Sequence, residues 1–112
     1  MKELNNKFHC FLNLLIEFLE DTYLAYSKRS DNKTIKRFIK ERERSYIKKT
    51  LQEGQEVLKI DPFPWKWIQD ITNRWVYSKE KKEYVEDPES YKKWIAETLA
   101  LLEKEAKKQG KL

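Results

Sequence analysis

The residue types best suited to nucleophilic chemistry occur once each in this sequence, as the neighbours His9 and Cys10. A thiol activated by an imidazole base is a common covalent catalyst. Adjacent residues of a helix point about 100° apart, so the sequence predicts a partly buried cysteine beside an ordinary histidine rather than a catalytic pair. A single cysteine also excludes an intramolecular disulfide and a zinc site with several cysteine and histidine ligands, which favours a reducing, cytoplasmic environment.

Acid–base catalysis would need carboxylates that share a cleft. The acidic residues nearest the aromatic centre of the chain are Glu53, Glu56, Asp61 and Asp70. Nothing in their spacing requires them to converge, and Asp70 lies four residues before Arg74, where the two would form a favourable pair on one helix. The only glycines, Gly54 and Gly110, cannot build a phosphate-binding loop. We therefore predict a protein without a catalytic site, cofactor, metal or small-molecule substrate.

The four tryptophans are more informative about binding. Trp65, Trp67 and Trp75 fall within eleven residues, and Trp94 lies in the next predicted helix. On a helical wheel Trp75 shares a buried stripe with Ile68, whereas Trp67 points to the side of that stripe. Either all four are core residues, or Trp67 is an exposed anchor for a partner, because tryptophan and arginine dominate interface energies. In the second case the predicted partner-binding residues are Trp67, Lys66, Asp70, Arg74 and Asp61.

Positive charge is concentrated in residues 28–49, which hold ten Lys/Arg against three acidic residues. The whole chain has a net charge of +5, so the rest of the chain is net acidic by two charges. Six of these cations fall on one side of a helical wheel and form the basic stripe: Lys33, Lys36, Arg37, Lys40, Arg44 and Lys48. The stripe predicts a solvated helix face, a track for nucleic-acid phosphates or a surface that steers an acidic protein. It lacks the interleaved aromatic residues that stack on bases.

The elements that must position these residues are helices. With 112 residues the chain has the size of one domain, and two glycines and three prolines are few for a sheet protein. Hydrophobic periodicity predicts an all-α fold, a compact single-domain bundle of about five helices. The predicted helices are roughly 3–27, 32–43, 45–60, 64–77 and 88–108. The apolar run 10–19 is too short to span a bilayer, and neither a signal peptide nor membrane binding is expected.

Local signals mark a bend and a close contact in the middle of the chain. Arg42 would face the core if one helix ran through it, so a break near residues 41–45 is predicted. Ser45 is the expected N-cap of the helix that follows. Gly54 lies inside that helix, where glycine is unfavourable by about 1 kcal/mol relative to alanine, and it predicts a close contact with another helix.

Further signals delimit the first and last helices. The apolar face of the first predicted helix extends to Tyr23 and Tyr26. Residues 78–86 are predicted to be a charged loop. The dipeptide Asp87-Pro88 combines an N-cap carboxylate with a proline at the first helical position, and Gly110 can end the same helix.

The segment 54–75 resembles part of a known family. It contains Gly54-Gln55, then the run Asp61-Pro62-Phe63-Pro64-Trp65-Lys66-Trp67-Ile68-Gln69-Asp70, then Asn73-Arg74-Trp75. A Pro-Phe-Pro-Trp turn, an Ile-x-Asp-x-x-Asn-Arg-Trp helix and a last amphipathic helix resemble the small immunity proteins of bacterial contact-dependent growth inhibition systems. The resemblance covers roughly residues 35–102 and depends on a turn with two prolines and a tryptophan, which is uncommon.

The resemblance implies a cytoplasmic antidote. Such a protein binds the C-terminal toxin domain of its own system and blocks the toxin's active site or its access to a target. Many of these toxins are nucleases, and a basic immunity protein suits a partner with an acidic patch. The resemblance does not say which residues contact the toxin, and its motif residues can equally be determinants of the fold. The alternative prediction is a small basic nucleic-acid-binding helical protein that uses the basic stripe.

Overall fold

Helices make up most of the molecule. The computed structural model describes residues 2–20 and 28–112, with side chains described for residues 2–19 and 31–112. In chain order the elements are α1 (Lys2–Lys7), α2 (His9–Glu20), α3 (Lys28–Lys40), α4 (Arg44–Leu58), α5 (Trp65–Thr72), β1 (Val76–Ser78), β2 (Glu83–Val85) and α6 (Pro88–Lys108). The helical class is confirmed. Within the described residues, however, there are six helices and a two-stranded sheet instead of five helices and loops.

The core is built from one apolar face of each long helix. Helix α2 packs against α4 and α5, and α6 packs against α3 and α4. The fully buried side chains of α2 are Phe11, Leu14, Leu15 and Phe18. Helix α6 contributes a stripe at helical spacing, namely Tyr91, Trp94, Ile95, Thr98, Leu99 and Leu102. The buried residues of both helices thus recur every three or four positions, as on one face of an amphipathic helix.

A side chain from α4 bends the predicted first helix at Phe8. One Glu53 carboxylate oxygen accepts the backbone N–H groups of Cys10 and Phe11, at 2.9 and 3.1 Å. In a continuous helix these two groups would bond to carbonyls four residues earlier, so the inserted carboxylate separates α1 from α2. The end of the predicted helix 3–27, with Tyr23 and Tyr26, lies outside the described residues.

The predicted break between the second and third helices is confirmed at residues 41–43. The Arg42 guanidinium lies 3.9 Å from the centre of the Phe38 ring and donates to Glu17 of α2 at 3.1 Å. Arg42 therefore leaves the apolar face of α3 and stays partly solvated. Ser45 is not the N-cap, because α4 begins at Arg44 and Glu43 holds the N-cap position.

Gly54 allows α4 and α6 to approach each other closely, as its position inside a helix predicted. A Cβ atom built on Gly54 would lie 2.5 Å from Leu99 Cδ2 and 3.0 Å from Leu99 Cδ1. Leu99 is only 1% exposed, so its side chain cannot move into solvent. Any residue larger than glycine at position 54 must displace the side chain of α6 that it meets.

The fourth helix is shorter than predicted. It ends at Thr72 because Asn73 adopts a left-handed backbone conformation, with φ 49° and ψ 42°, which asparagine tolerates better than most residues. Pro64 occupies the N-cap position, one residue before the helix starts. The chain after Asn73 is extended and forms β1, so the helical wheel does not apply to Trp75 and Val76.

Both predicted ends of α6 are confirmed. Asp87 is the N-cap and its side chain accepts the backbone N–H of Ser90 at 2.8 Å, with Pro88 in the first turn. At the other end Gly110 has φ 73°, and the Lys111 N–H donates to the Ala106 carbonyl at 2.8 Å. This is the hydrogen-bond pattern of a Schellman motif, for which a glycine after the C-cap is preferred.

Candidate functional site

Trp67, the predicted partner anchor, is a core residue. It is 2% exposed, packs against Phe11 and donates its indole N–H to the Asn5 side chain at 2.7 Å. On a helical wheel Trp67 lies beside the main apolar stripe of α5. The contact with α1 buries this side of the helix as well. Trp67 is therefore unavailable to a partner, and the prediction of an exposed anchor at this position is wrong.

Arg74 is also buried, at 3% exposure, and does not pair with Asp70 as predicted. Its guanidinium donates to Asp31 of α3 at 2.6 Å, and the other Asp31 carboxylate oxygen accepts the Trp94 indole N–H at 3.3 Å. The pair with Asp70 needs both residues on one helix, and α5 ends between them. Arg74 connects the end of α5 to α3 and α6, so its role is in the fold rather than in binding.

The three remaining predicted partner-binding residues are Lys66, Asp70 and Asp61. All three are exposed. Lys66 and Asp70 lie four residues apart on α5 and therefore share one face of that helix. The described structure records no hydrogen bond or ion pair among the three side chains.

A β-hairpin replaces the predicted loop after α5. Val76 pairs with Val85, Tyr77 with Tyr84 and Ser78 with Glu83. β-Branched and aromatic residues favour such short extended pairs. The connection 79–82 is stabilised by the Ser78 hydroxyl, which accepts the Lys81 N–H at 3.2 Å. Because side chains alternate across a strand, the buried valines lie on the inner face and the tyrosines on the outer face.

Two exposed tyrosines lie on that outer face, and an exposed tryptophan directly precedes β1. We call Trp75, Tyr77 and Tyr84 the aromatic hairpin face; their exposed fractions are 43%, 44% and 61%. The two tyrosine rings meet edge to face, with centroids 5.3 Å apart. The Trp75 indole donates to Glu86 at 2.8 Å across the hairpin. The three rings are thus exposed but held in place by cross-strand contacts.

The hairpin is attached to the start of α6. The Tyr91 hydroxyl donates to the Arg74 carbonyl at 2.7 Å, and burial raises the pKa of this hydroxyl above its usual value. Lys81 of the hairpin connection lies 3.5 Å from the carboxylate of Asp87. The Ser90 backbone N–H, which this carboxylate accepts, lowers the pKa of Asp87. Residues 75–86 contain three lysines and three glutamates, so the hairpin is electrically neutral.

The helical wheel predicts a buried Trp75, and the predicted partner-binding residues do not include Tyr77 or Tyr84. A usable signal was present: the pairs Val76-Tyr77 and Tyr84-Val85 flank a run of charged residues, which is a short hairpin pattern. Asn73 is a second signal, because it is a residue that tolerates a left-handed helix end. Trp75 is therefore exposed although it was predicted to be a core residue, and Trp67 is a core residue, which was one of its two predicted alternatives.

The His9 and Cys10 side chains contact each other, contrary to expectation, with Sγ 3.8 Å from Nδ1. His9 is the first residue of α2. The thiol is buried. This burial raises the pKa of Cys10, and the nearby Glu53 carboxylate raises it further. A raised pKa disfavours the thiolate that a nucleophile needs.

The four acidic residues considered for acid–base chemistry do not form a cluster. Glu53 is buried against the N-terminus of α2, whereas Glu56, Asp61 and Asp70 are exposed. Among the described residues no group of three or more His, Cys, Asp or Glu side chains is arranged to hold a metal ion.

All six cations of the basic stripe are exposed, as the helical wheel predicted. Two of them have partners within the protein. Arg37 donates to Glu17 of α2 at 2.8 Å, and Arg44 donates to the Gly110 carbonyl at 2.9 Å. For the other four, the described residues supply no ion pair. The stripe is therefore largely a free lysine surface on α3, continued by Lys48 on α4.

Comparisons with models of protein families, with curated proteins and with solved structures give no match for this chain. In the part of the chain that the structure describes, no helix combines the length and the hydropathy needed to cross a bilayer.

Proposed function

We propose that this chain is an immunity protein that binds and neutralises the toxin domain of a contact-dependent growth inhibition system. The observation that carries the proposal is the aromatic hairpin face. Tyrosine and tryptophan are the residues most enriched among those that dominate the energy of protein interfaces. Three of them exposed together at the hairpin make a compact apolar surface that a partner protein can cover.

The geometry of the aromatic hairpin face favours binding. The contact between Tyr77 and Tyr84 and the hydrogen bond from Trp75 restrict the side chains before a partner arrives. Restricted side chains lose less conformational entropy on association, so more of the gain from burying the rings contributes to affinity. The neutral charge of the hairpin also favours a protein over a nucleic acid, since phosphate binding depends on positive charge.

The resemblance to immunity proteins also supports the proposal, through residues that determine the fold and not through residues of the docking surface. Its motif residues Phe63, Trp67 and Ile68 are buried, and Arg74 joins them in the interior. They are determinants of the fold: they fix α5 and direct the chain into the hairpin. We therefore place the toxin contact on the hairpin next to the motif, with Lys66 and Asp70 of α5 as further exposed candidates.

The test uses the domain encoded at the 3′ end of the gene immediately upstream. The full chain and that domain are co-purified, and affinity is measured by calorimetry. Tyr77→Ser and Tyr84→Ser should each weaken binding about thirtyfold, the effect of losing an interface residue that contributes about 2 kcal/mol. The matched control is Ile16→Ser, which makes the same polarity change at an exposed apolar residue of α2.

Growth measurements complete the test. Cells that express the toxin domain should survive with the wild-type chain and with Ile16→Ser, but grow poorly with the double variant Tyr77→Ser/Tyr84→Ser. Absence of a complex at micromolar concentration refutes the proposal. An intact complex with the double variant refutes the aromatic hairpin face as the docking surface.

The second candidate function is nucleic-acid binding by the basic stripe, favoured by the exposure of all six cations. Several lysines on one helix face can follow a phosphate backbone and release counterions. The test is a titration of labelled DNA and RNA between 50 and 200 mM salt. Binding that is absent near 50 mM salt, or that does not weaken steeply as salt rises, refutes this candidate.

A further inference from the structure

A groove runs between α3 and the C-terminal half of α6. The two helices pack side by side, and the Lys111 ammonium joins their ends by donating to the Ile39 carbonyl at 2.7 Å. The residues that line the groove are Asn32, Ile35, Lys36, Leu101, Lys104, Glu105 and Lys108. The groove therefore has cations on both walls and the half-buried Leu101 between them, over the buried Ile35.

The charge of this groove is strongly positive. Lys36 from one helix faces Lys104 and Lys108 from the other, and Glu105 is the only acidic residue in the lining. Lys33 and Lys40 do not line the groove but lie within about 60° of Lys36 on the wheel of α3, on its outer side. In the described part of the chain none of these five lysines has a carboxylate within 4 Å. Like charges that line one groove repel, and an anionic ligand would relieve that repulsion.

We propose that this groove binds an acidic, amphipathic peptide segment of a protein partner. Carboxylates of such a segment would lie against the lysines of the two walls, and its apolar residues would cover the half-buried Leu101. This is the helix-in-groove form of peptide recognition. Nucleic acid fits less well, because the lining contains no aromatic or arginine side chain on which a base can stack.

The groove is a surface separate from the aromatic hairpin face. The hairpin contacts α6 near Tyr91, and the groove begins near Leu101, about 15 Å further along the same helix at 1.5 Å per residue. The inference does not depend on the identity of the partner or on the toxin hypothesis. Variants in the groove and in the hairpin therefore test two different statements.

The experiment uses the full chain and a defined probe. The probe is a fluorescein-labelled 16-residue peptide with leucine at helical i, i+3, i+4, i+7 positions and glutamate at most others, and its binding is followed by fluorescence anisotropy at 150 mM salt. Two reference ligands are a scrambled isomer of the peptide, which keeps the charge but not the amphipathic pattern, and a 16-nucleotide single-stranded DNA. Amide chemical shifts locate the bound peptide on the protein.

Two charge-reversal variants are compared. Lys36→Glu/Lys104→Glu removes one cation from each wall, and Lys92→Glu/Lys93→Glu makes the same change in net charge at exposed positions near the start of α6. We expect the groove variant to weaken peptide binding about tenfold and the control variant less than twofold, because exposed charges more than a Debye length apart are largely screened at this salt concentration. Thermal unfolding of both variants confirms that they fold.

Support for the proposal would be selective binding of the amphipathic peptide, with shifts confined to 32–40 and 101–108. Three results would overturn it. Equal weakening by both variants would mean that only the net charge matters. Equal affinity for the scrambled peptide would mean that the groove does not recognise the amphipathic pattern. Tighter binding of the DNA than of the peptide would assign the lysines to nucleic acid.

Discussion

Replacing Gly54 by alanine should destabilise this protein, although the same change stabilises most helices. Alanine is favoured over glycine inside a helix by about 1 kcal/mol. Against this, the new Cβ would lie 2.5 Å from Leu99 Cδ2 and 3.2 Å from Leu99 Cγ, so the whole isobutyl group must move within a closed core. Overpacking of this kind costs about 1–3 kcal/mol. With about 2 kcal/mol for the steric effect, the free energy of unfolding should fall by about 1 kcal/mol.

The assay is urea denaturation followed by tryptophan fluorescence and far-ultraviolet circular dichroism. The control is the pair Gln55→Ala and Gln55→Gly, one residue along α4 at an exposed position. The difference between these two variants measures the helix preference of alanine over glycine without a packing contact. We expect alanine to be more stable than glycine at position 55 and less stable than glycine at position 54.

A double-mutant cycle isolates the steric contact. Leu99→Ala alone should cost about 2–5 kcal/mol, as expected for a buried leucine. In the Gly54→Ala background it should cost at least 1 kcal/mol less, because the shortened side chain no longer clashes and the added methyl group fills part of the space. If Gly54→Ala raises the free energy of unfolding by the amount measured at position 55, the close approach of α4 and α6 is refuted.

Three further predictions concern buried and capping side chains. Arg74→Met should lower the free energy of unfolding by about 3–5 kcal/mol, because it removes the cation from a buried pair with Asp31. The double variant Asp31→Leu/Arg74→Met should lose less stability than either single variant. Additive losses in urea denaturation would contradict the pairing. Asp87→Ala should cost about 1 kcal/mol at pH 7. The folded pKa of Asp87 is lowered, so this contribution is present above the unfolded pKa and is lost as the pH falls through the folded pKa. The loss should therefore be smaller at pH 3 than at pH 7, and an equal loss at both would count against the charged cap. Trp67→Phe should lower the free energy of unfolding by about 1–2 kcal/mol, because it removes the hydrogen bond to Asn5. The affinity of this variant for the toxin domain should stay within twofold of wild type. A large loss of affinity in calorimetry would mean that Trp67 is a binding anchor after all.

The parts of the fold that the sequence predicts are those with a local physical cause. Helix α6 was predicted over the residues it occupies because both ends carry their own signal, the Asp87 carboxylate at the start and Gly110 after the end. The break at residues 41–43 was predicted because Arg42 could not enter an apolar face. Gly54 predicted a helix contact because only close packing explains a glycine at an otherwise helical position.

The parts that the sequence did not predict depend on residues far apart in the chain. The bend at Phe8 comes from Glu53, which is 43 positions from Cys10, and the burial of Arg74 comes from Asp31, also 43 positions away. A helical wheel considers one helix at a time and takes no account of such distant partners. The wheel also continued through Asn73, so it extended the buried stripe of α5 to Trp75, which is exposed. The burial of Trp67 has a different cause, its contact with Asn5 of α1.

The distance in sequence between Glu53 and the start of α2 has a consequence for folding on the ribosome. Helix α2 is synthesised before the carboxylate that accepts its first free N–H groups, and at roughly 5–20 residues per second the interval is several seconds. During that time the nascent segment can propagate as one straight helix through Phe8. Arrival of α4 must then separate α1 from α2, so residues 2–20 reach their final arrangement only after the middle third of the chain has emerged.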